Sequence, residues 1–301
     1  MSSLIIGKHT IDISNEDKIL FPEDKMTKGD LIKYYKTIAP IMISHIKNRA
    51  LTMQRFPNGI TQDGFYQKDI GDYFPDWIPT VTVKKLEGGT TTYVVCNNSA
   101  TLVYLANQAC ITQHAWLSRI DKLNYPDRMI FDLDPVNDKQ FDLVKETGFK
   151  LNKLLDEFNL RSYVMLTGSR GIHIIVPIKR LYKFDTVRAC ARALADILVK
   201  RDGEKHLTTE PRFDKRKGRL FIDATRNAYA QTTVAPYSVR ALQGAPVATP
   251  VTWNELESSK ITAQSFSIKN IEMRLEKIKD PWAGINKDSG VLSTMLNLIC
   301  K

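Results

Sequence analysis

The stretch Phe131-Asp132-Leu133-Asp134-Pro135 follows directly on apolar residues, and the run Arg128 to Leu133 predicts a short buried β-strand. Residues i and i+2 of a strand face the same side, so Asp132 and Asp134 project together with their Cβ atoms roughly 7 Å apart. Two carboxylates at that separation repel each other unless a cation lies between them. Hard divalent ions prefer oxygen ligands, and paired carboxylates that hold metal beside substrate phosphates are common in phosphoryl-transfer sites. The alternative is a turn in which an aspartate caps the following helix.

A second apolar strand, Arg219 to Asp223, also ends in a carboxylate. Asp223 is therefore the natural third ligand of a metal site built on Asp132 and Asp134. The alternative is that Asp223 merely ends its strand, and a D-x-D pattern alone is a weak signal.

The segment Thr167-Gly168-Ser169-Arg170-Gly171-Ile172-His173 lies between two apolar stretches that read as strands. Its glycines and hydroxyl groups would let backbone N–H groups close on a phosphate, to which Arg170 adds positive charge. His173 points from the start of the following strand. A hairpin turn explains the glycines equally well, but it does not explain Arg170 and His173.

Four further polar residues stand at the ends of apolar stretches, namely Arg55, Lys68, His114 and Arg240. Each alone is more often a surface charge or a structurally satisfied histidine than a ligand contact. Their occurrence together with the carboxylates makes them candidate site residues.

Composition narrows the class of protein. The chain has 301 residues and a formal net charge of +10, from 43 Lys+Arg against 33 Asp+Glu. That charge is compatible with nucleic acid, an anionic membrane surface or phosphorylated substrates. No apolar run approaches the roughly 18 residues of a membrane span, and no leader is recognisable. The cysteines, Cys96, Cys110, Cys190 and Cys300, lack paired spacing, which predicts reduced thiols in a cytoplasmic protein and argues against a zinc site.

Strand and helix patterns are interleaved singly and in pairs, which predicts an α+β fold with a mixed or antiparallel central sheet flanked by helices. Thr27 and Asp30 form a capping-box pattern at the start of a helix that we expect Pro40 to kink or divide. Gly88-Gly89 predicts the turn of a hairpin running from about Lys84 to Thr92. Further helices are predicted over 141–158, 185–200, 268–278 and 291–299.

The chain resembles the polymerase domain of the LigD type, a branch of the archaeo-eukaryotic primase-polymerase superfamily used in prokaryotic end joining. The superfamily's motifs occur in order as the D-x-D pair, the small-residue loop leading to His173, and Asp223. There are two departures: Thr167 stands where relatives usually carry Ser, and 224–227 replaces a bulkier, aromatic-containing segment, although Arg226 and Asn227 match. The longer matching segments are Asp17–Pro22, Thr27–Leu31, Gln54–Pro57, Tyr73–Pro79 and Val234–Arg240.

The resemblance implies a single primase-polymerase catalytic domain over residues 1–301. Its DNA-contacting part would cover about 1–110, its catalytic motifs about 111–250 and its C-terminal helices about 251–301. The implied activity is a metal-dependent nucleotidyltransferase that fills short gaps at double-strand breaks in non-homologous end joining and favours ribonucleotides. Two Mn²⁺ or Mg²⁺ ions would be held by Asp132, Asp134 and Asp223.

The resemblance also assigns the surrounding residues. DNA contacts would come from Lys18 and Lys28 on a downstream 5′-phosphate, from Phe65 and Tyr66 by stacking, and from Lys68; the alternative for the aromatic pair is a place in the core. Ku and a separate ligase are the implied partners. The alternative functions are a primase that starts chains de novo and a non-catalytic module that bridges DNA ends. The implied nucleotide contacts are Arg55, His114, Thr167, Gly168, Ser169, Arg170, His173, Arg226 and Arg240.

Overall fold

The computed structural model describes residues 2–85 and 88–299, so Cys300 and the predicted hairpin's residues Leu86 and Glu87 lie outside the described residues. Strands and helices are interleaved along the chain, with runs of up to four consecutive strands. The strands are β1 (Ser2–Ile6), β2 (His9–Ile13), β3 (Ile19–Phe21), β4 (Met26–Thr27), β5 (Ala50–Arg55), β6 (Phe65–Gln67), β7 (Thr80–Lys84), β8 (Thr90–Val95), β9 (Cys110–Trp116), β10 (Arg128–Asp134), β11 (Tyr163–Leu166), β12 (Ile172–Pro177), β13 (Leu207–Thr208), β14 (Leu220–Asp223), β15 (Thr232–Val234) and β16 (Thr249–Val251). The helices are α1 (Lys28–Ile46), α2 (Ser99–Asn107), α3 (Phe141–Glu157), α4 (Phe184–Asp202), α5 (Trp253–Glu257), α6 (Ile271–Lys277) and α7 (Ser293–Ile299).

Helix α1 begins at the predicted capping box, in which Thr27 and Asp30 each bond the other's backbone N–H. Of the two alternatives predicted for Pro40, a kink or a division of the helix, the division is wrong, since α1 continues to Ile46. Pro40 lies on the exposed side of the helix. Ile38 and Met42 on the opposite side are almost completely buried, so packing on either side of the proline outweighs the single backbone hydrogen bond that it removes.

The described chain forms two compact units. The first comprises residues up to Trp116 together with Thr232–Ala248 and Phe266–Glu276. Its main sheet has the strand order β15-β9-β5-β8-β7, with β6 paired to β5, and all of these pairs are antiparallel. Helices α1 and α2 contact each other, and the buried Tyr35 hydroxyl of α1 donates to the Ile111 carbonyl of β9 at 2.6 Å.

The second unit comprises Leu117–Gln231, Thr249–Ser265 and the chain from Lys277. Its sheet has the order β13-β14-β10-β12-β11-β16, in which β13 and β14 are parallel and the other pairs antiparallel. Helices α3 and α4 contact strand β10, whose apolar residues Met129, Ile130, Phe131 and Leu133 are fully buried. The predicted α+β class is therefore confirmed, with the strands arranged in one mixed and one antiparallel main sheet.

Among the described helices, none is both long and apolar enough to cross a membrane.

Candidate active site

Strand register brings three of the predicted residues into one row in the second unit. Asp132 of β10 is paired with Asp223 of β14 on one side and with His173 of β12 on the other. Residues directly opposite each other in antiparallel strands carry their side chains on the same face. Asp134 shares that face because it lies two residues beyond Asp132. The face therefore presents three carboxylates and one imidazole.

His173 is 5% exposed, and its Nε2 lies 3.5 Å from Oδ1 of Asp132. Its Nδ1 is also buried and has no hydrogen-bond partner among the described residues. A buried ring nitrogen without a partner carries a desolvation cost that a polar ligand at this position would relieve. The imidazole is thus available to a ligand as well as to Asp132.

Asp134 is held between two arginines. Nη2 of Arg170 lies 3.2 Å from its Oδ1, and Nη1 of Arg216 lies 3.2 Å from its Oδ2. Arg216 is 8% exposed, and its guanidinium carbon lies 4.0 Å from the centre of the Phe221 ring. Arg216 belongs to the basic run Lys215-Arg216-Lys217, whose sequence is compatible with a solvated turn. For Arg216 that interpretation is wrong, because the side chain is buried over the Phe221 ring and contacts Asp134, a candidate metal ligand.

Asp223 is oriented by the turn that follows its strand. Its Oδ1 accepts hydrogen bonds from the backbone N–H of Thr225 at 2.6 Å and from the Thr225 hydroxyl at 2.5 Å. Its Oδ2 lies 3.4 Å from Nε of Arg226. The sequence predicts no role for Thr225, which lies in the segment 224–227 that departs from the family pattern. An Asp-x-Thr spacing after a strand is the signal that could have found it, since such turns commonly close by a side-chain to backbone hydrogen bond.

Asn227 fastens the same turn to β10. Its side-chain amide donates to the carbonyl of Ile130 at 2.7 Å and to that of Ala224 at 2.9 Å, while its own oxygen accepts from the N–H of Ile130 at 2.9 Å. Asn227 is completely buried. The amide thereby extends the pairing between the two strands that carry Asp132 and Asp223.

Residues 167–171, which we call the glycine loop, join β11 to β12. Gly168 has a φ of +66°, a backbone conformation that residues with side chains rarely adopt. A Cβ atom on Gly171 would lie 1.9 Å from the carbonyl oxygen of Leu133, so only glycine fits against the end of β10. The glycines therefore serve both the turn and its close approach to the D-x-D strand.

The loop's N–H groups are largely used inside the unit. Those of Ser169 and Gly171 donate to the Thr167 hydroxyl at 3.2 and 3.3 Å. The N–H of Thr167 donates to the Gly171 carbonyl, and that of Gly168 donates to Ala263. We expected these groups to close on a phosphate. As folded, the loop instead offers a ligand the side chains of Ser169 and Arg170 and the N–H of Arg170.

The donor set suits a hard divalent cation, because Asp132, Asp134 and Asp223 provide carboxylate oxygens on one face. Within residues 2–85 and 88–299, however, no three His, Cys, Asp or Glu side chains converge closely enough to form a preassembled metal cluster. The ion pairs and hydrogen bonds made by Asp134 and Asp223 explain this geometry. The three carboxylates are chemically suited to bind a divalent metal ion. The ion would compete with Arg170, Arg216 and Arg226 for the carboxylate oxygens of Asp134 and Asp223.

The remaining predicted residues belong to the first unit. Arg55 donates to the Gln108 carbonyl at 2.8 Å, to the Gln67 side chain at 2.7 Å and to the Tyr73 hydroxyl at 2.7 Å, and it lies over the Phe65 ring. These contacts position the segment that carries the predicted stacking pair.

The aromatic pair itself is exposed, Phe65 to 46% and Tyr66 to 61%, so the core alternative for these residues is wrong. The Tyr66 ring packs edge-on against that of His114, with centroids 5.6 Å apart. Lys68 is exposed just beyond β6. The backbone N–H of Arg240 donates to the Pro246 carbonyl at 2.7 Å.

Lys18 and Lys28 are neighbours in the same unit, joined by a 2.8 Å hydrogen bond from the Lys28 N–H to the Lys18 carbonyl. Lys18 is exposed, and its ammonium group donates to Asn58. Lys28 is 4% exposed, and its ammonium group donates to the Ser14 hydroxyl at 3.2 Å and the Asn107 carbonyl at 3.1 Å. Burial, followed by the like charge of Lys18, lowers the pKa of Lys28. An anion beside the two ammonium groups would offset both effects.

The family model for the LigD primase-polymerase domain matches residues 27–282. The multifunctional non-homologous end joining protein LigD of Mycolicibacterium smegmatis is 29% identical over 283 residues, which are 93% of this chain and 37% of that protein. The bifunctional LigD of Bacillus subtilis is 30% identical over 294 residues, 97% of this chain and 47% of that protein. The chain thus spans less than half the length of these relatives.

Among solved structures, the polymerase domain of Mycobacterium tuberculosis ligase D in complex with DNA is similar over 93% of this chain and 99% of that one. The TM-score is 0.87 at 28% sequence identity. The similarity therefore extends over both units of the fold.

Proposed function

The chain belongs to the LigD primase-polymerase domain family of DNA-repair polymerases, and from that premise we propose that it is a metal-dependent nucleotidyltransferase that fills short gaps at broken DNA ends, with a preference for ribonucleotides. The observation that carries the proposal is the register that sets Asp132 opposite Asp223, with Asp134 on the same face beside Arg170. Both units would serve one catalytic domain, which acts in the cytoplasm on DNA and nucleoside triphosphates with Ku and a separate ligase as partners.

In the proposed reaction a primer 3′-hydroxyl attacks the α-phosphorus of a nucleoside triphosphate, and pyrophosphate leaves. Asp132, Asp134 and Asp223 would hold two Mn²⁺ or Mg²⁺ ions. Bound metal would lower the pKa of the attacking hydroxyl and neutralise negative charge on the triphosphate. No protein nucleophile is needed, so the side chains act by positioning and electrostatic stabilisation.

Arg170 and Arg226 each carry an exposed cation next to a carboxylate of the site, which suits them to donate hydrogen bonds to triphosphate oxygens. Ser169 and His173 would add a hydroxyl and an imidazole nitrogen. In the first unit, Arg55, His114 and Arg240 are proposed as further nucleotide contacts, and the exposed Phe65 and Tyr66 as a stacking surface worth roughly 1–3 kcal/mol per base. Lys18, Lys28 and Lys68 would bind DNA phosphate.

The test is primer extension on a gapped duplex that bears a downstream 5′-phosphate, with Mn²⁺ and each NTP or dNTP in turn. We expect NTP incorporation by the wild-type protein and none by Asp132→Ala. Absence of extension by the wild-type protein, or full extension by the variant, contradicts the proposal. Synthesis on unprimed single strands would instead favour a primase, and DNA binding without turnover would favour an end-bridging module.

A further inference from the structure

A turn far along the chain contacts the glycine loop inside the second unit. The N–H of Gly168 donates to the carbonyl of Ala263 at 3.0 Å, and the side-chain amide of Gln264 donates to the carbonyl of Ser169 at 2.9 Å. The second contact joins residues 95 positions apart, which no local sequence pattern indicates. Because a carbonyl oxygen only accepts, the amide nitrogen of Gln264 must be the atom that faces it.

The turn, residues 262–265, is closed by its own hydrogen bonds. The N–H of Thr262 donates to the Ser265 hydroxyl at 2.8 Å, and the N–H of Ser265 donates to the Thr262 carbonyl at 3.3 Å. The N–H of Gln264 also donates to the Thr262 hydroxyl at 3.4 Å. Gln264 is therefore presented to the glycine loop from a backbone whose conformation is already restrained.

The bond from Gln264 fixes one peptide plane. The Ser169 carbonyl and the Arg170 N–H belong to the same planar peptide, which is trans, so they point in opposite directions. The other loop N–H groups are engaged inside the unit, whereas that of Arg170 has no acceptor among the described residues. The hydrogen bond to the Ser169 carbonyl thus sets the direction of the Arg170 N–H, which is the one N–H of the described loop that is left for a ligand. It also sets the position of the Arg170 Cα atom, from which the side chain extends.

On one side, the Ser169–Arg170 peptide borders a cavity and not closely packed side chains. A cavity of about 260 Å³ lies against it, lined by Phe141, Ser169, Arg170, Thr262, Ala263 and Gln264. The Arg170 side chain is 47% exposed. With open space on one side of the loop, the two hydrogen bonds from the 262–265 turn restrain its position there, in addition to the bonds within the loop.

We propose that Gln264 is a positioning residue for the triphosphate, acting through the Ser169–Arg170 peptide to aim the Arg170 N–H and guanidinium. The inference rests on the proposed function, because it takes the ligand of the glycine loop to be a nucleoside triphosphate. Gln264 itself need not touch the nucleotide.

The experiment replaces Gln264 by Met, which keeps the length of the side chain and removes the donor. ATP with Mn²⁺ is the probe, measured by equilibrium binding and by extension of a gapped duplex. We expect the Kd and KM for ATP to rise about 3- to 10-fold, the effect of one lost hydrogen bond, with kcat and the Kd for DNA unchanged. The melting temperature of the variant, measured in parallel, should fall by no more than about 2–4 °C, the effect of about 1 kcal/mol.

The matched control is Gln243→Met, because Gln243 is exposed and its side chain bonds no described residue. A double-mutant cycle with Arg170→Ala measures the coupling between the two residues in ATP binding. A general structural role of Gln264 would not produce such coupling. We expect Arg170→Ala to cost less in the Gln264→Met background than in the wild type, because the two residues act on one ligand contact.

Equal ATP affinity in Gln264→Met and wild type, additive losses in the cycle, or an equal loss in the Gln243 control would each overturn the inference. A wild-type protein that neither binds ATP nor extends the primer would instead overturn the proposed function. The wild-type measurement therefore separates the two failures.

Discussion

Asp132 and Asp223 lie directly opposite each other across the antiparallel pair formed by β10 and β14. Like charges at such positions repel and destabilise a sheet. His173 beside Asp132, and Thr225 and Arg226 beside Asp223, offset part of that repulsion. The arrangement is retained at a cost in stability, which is typical of residues kept for function.

Neutralising one carboxylate should therefore separate stability from activity. We expect Asp132→Asn to leave the free energy of unfolding unchanged or to raise it by up to about 1 kcal/mol in metal-free, low-salt buffer, because a cross-strand repulsion is removed. Urea denaturation with EDTA measures this, and the same variant should show no primer extension. A loss of more than about 1 kcal/mol would mean that the contact with His173 outweighs the repulsion.

Gly171→Ala should destabilise the second unit. Its Cβ would lie 1.9 Å from the Leu133 carbonyl oxygen, so the loop or the end of β10 must move. We expect a loss of about 2–3 kcal/mol in urea denaturation. Gly290→Ala in the same unit is the control, because its Cβ would meet the terminal Cδ2 methyl group of Leu160 at 3.0 Å and the carbonyl oxygens of Asn159 and Pro177 at 3.8 and 3.9 Å, so it should cost little. Equal losses in both variants would refute the steric explanation.

Thr225→Val should weaken metal binding while keeping the volume of the side chain. It removes the hydroxyl that donates to Oδ1 of Asp223 and leaves the backbone N–H in place. We expect about a tenfold loss of Mn²⁺ affinity, measured by electron paramagnetic resonance titration without DNA or nucleotide. Thr225→Ser retains the donor and should bind Mn²⁺ like the wild type. If the serine variant loses as much as the valine variant, the hydroxyl is not the cause.

Lys18→Ala should weaken binding to gapped DNA chiefly when the downstream end carries a 5′-phosphate. Removing one cation from the Lys18 and Lys28 pair should also reduce the slope of log K against log salt by about one. Anisotropy titrations on matched 5′-phosphate and 5′-hydroxyl duplexes measure both quantities. Equal losses on the two ends would contradict the placement.

The buried thiols should be unreactive in the folded protein. Burial raises the pKa of both Cys96 and Cys110 to about 12, so at pH 8 the nucleophilic thiolate is scarce, and Cys190 is also buried. In a Cys300→Ser background, we expect no reaction with a thiol reagent at pH 8 until urea unfolds the chain. Rapid labelling of the native protein would contradict this expectation.

Much of the candidate site followed from local pattern. A strand places every second residue on one face. The apolar run before Asp132 and Asp134 predicts a strand, and this alone is enough to predict that the two carboxylates share a face. The start of helix α1 was also predictable, because the two capping-box residues, Thr27 and Asp30, are close in sequence. The helix is not divided at Pro40 because its buried face continues past that residue, and local propensity takes no account of this packing.

The sequence by itself determined the acidic strand ends, the small-residue loop and the excess of positive charge. Only the tertiary structure decided that Asp132 faces Asp223, that Arg216 reaches Asp134 and that Gln264 holds the glycine loop. The physical reason is range: backbone geometry dictates which neighbours share a face, whereas strand register and distant hydrogen bonds depend on how the whole core packs.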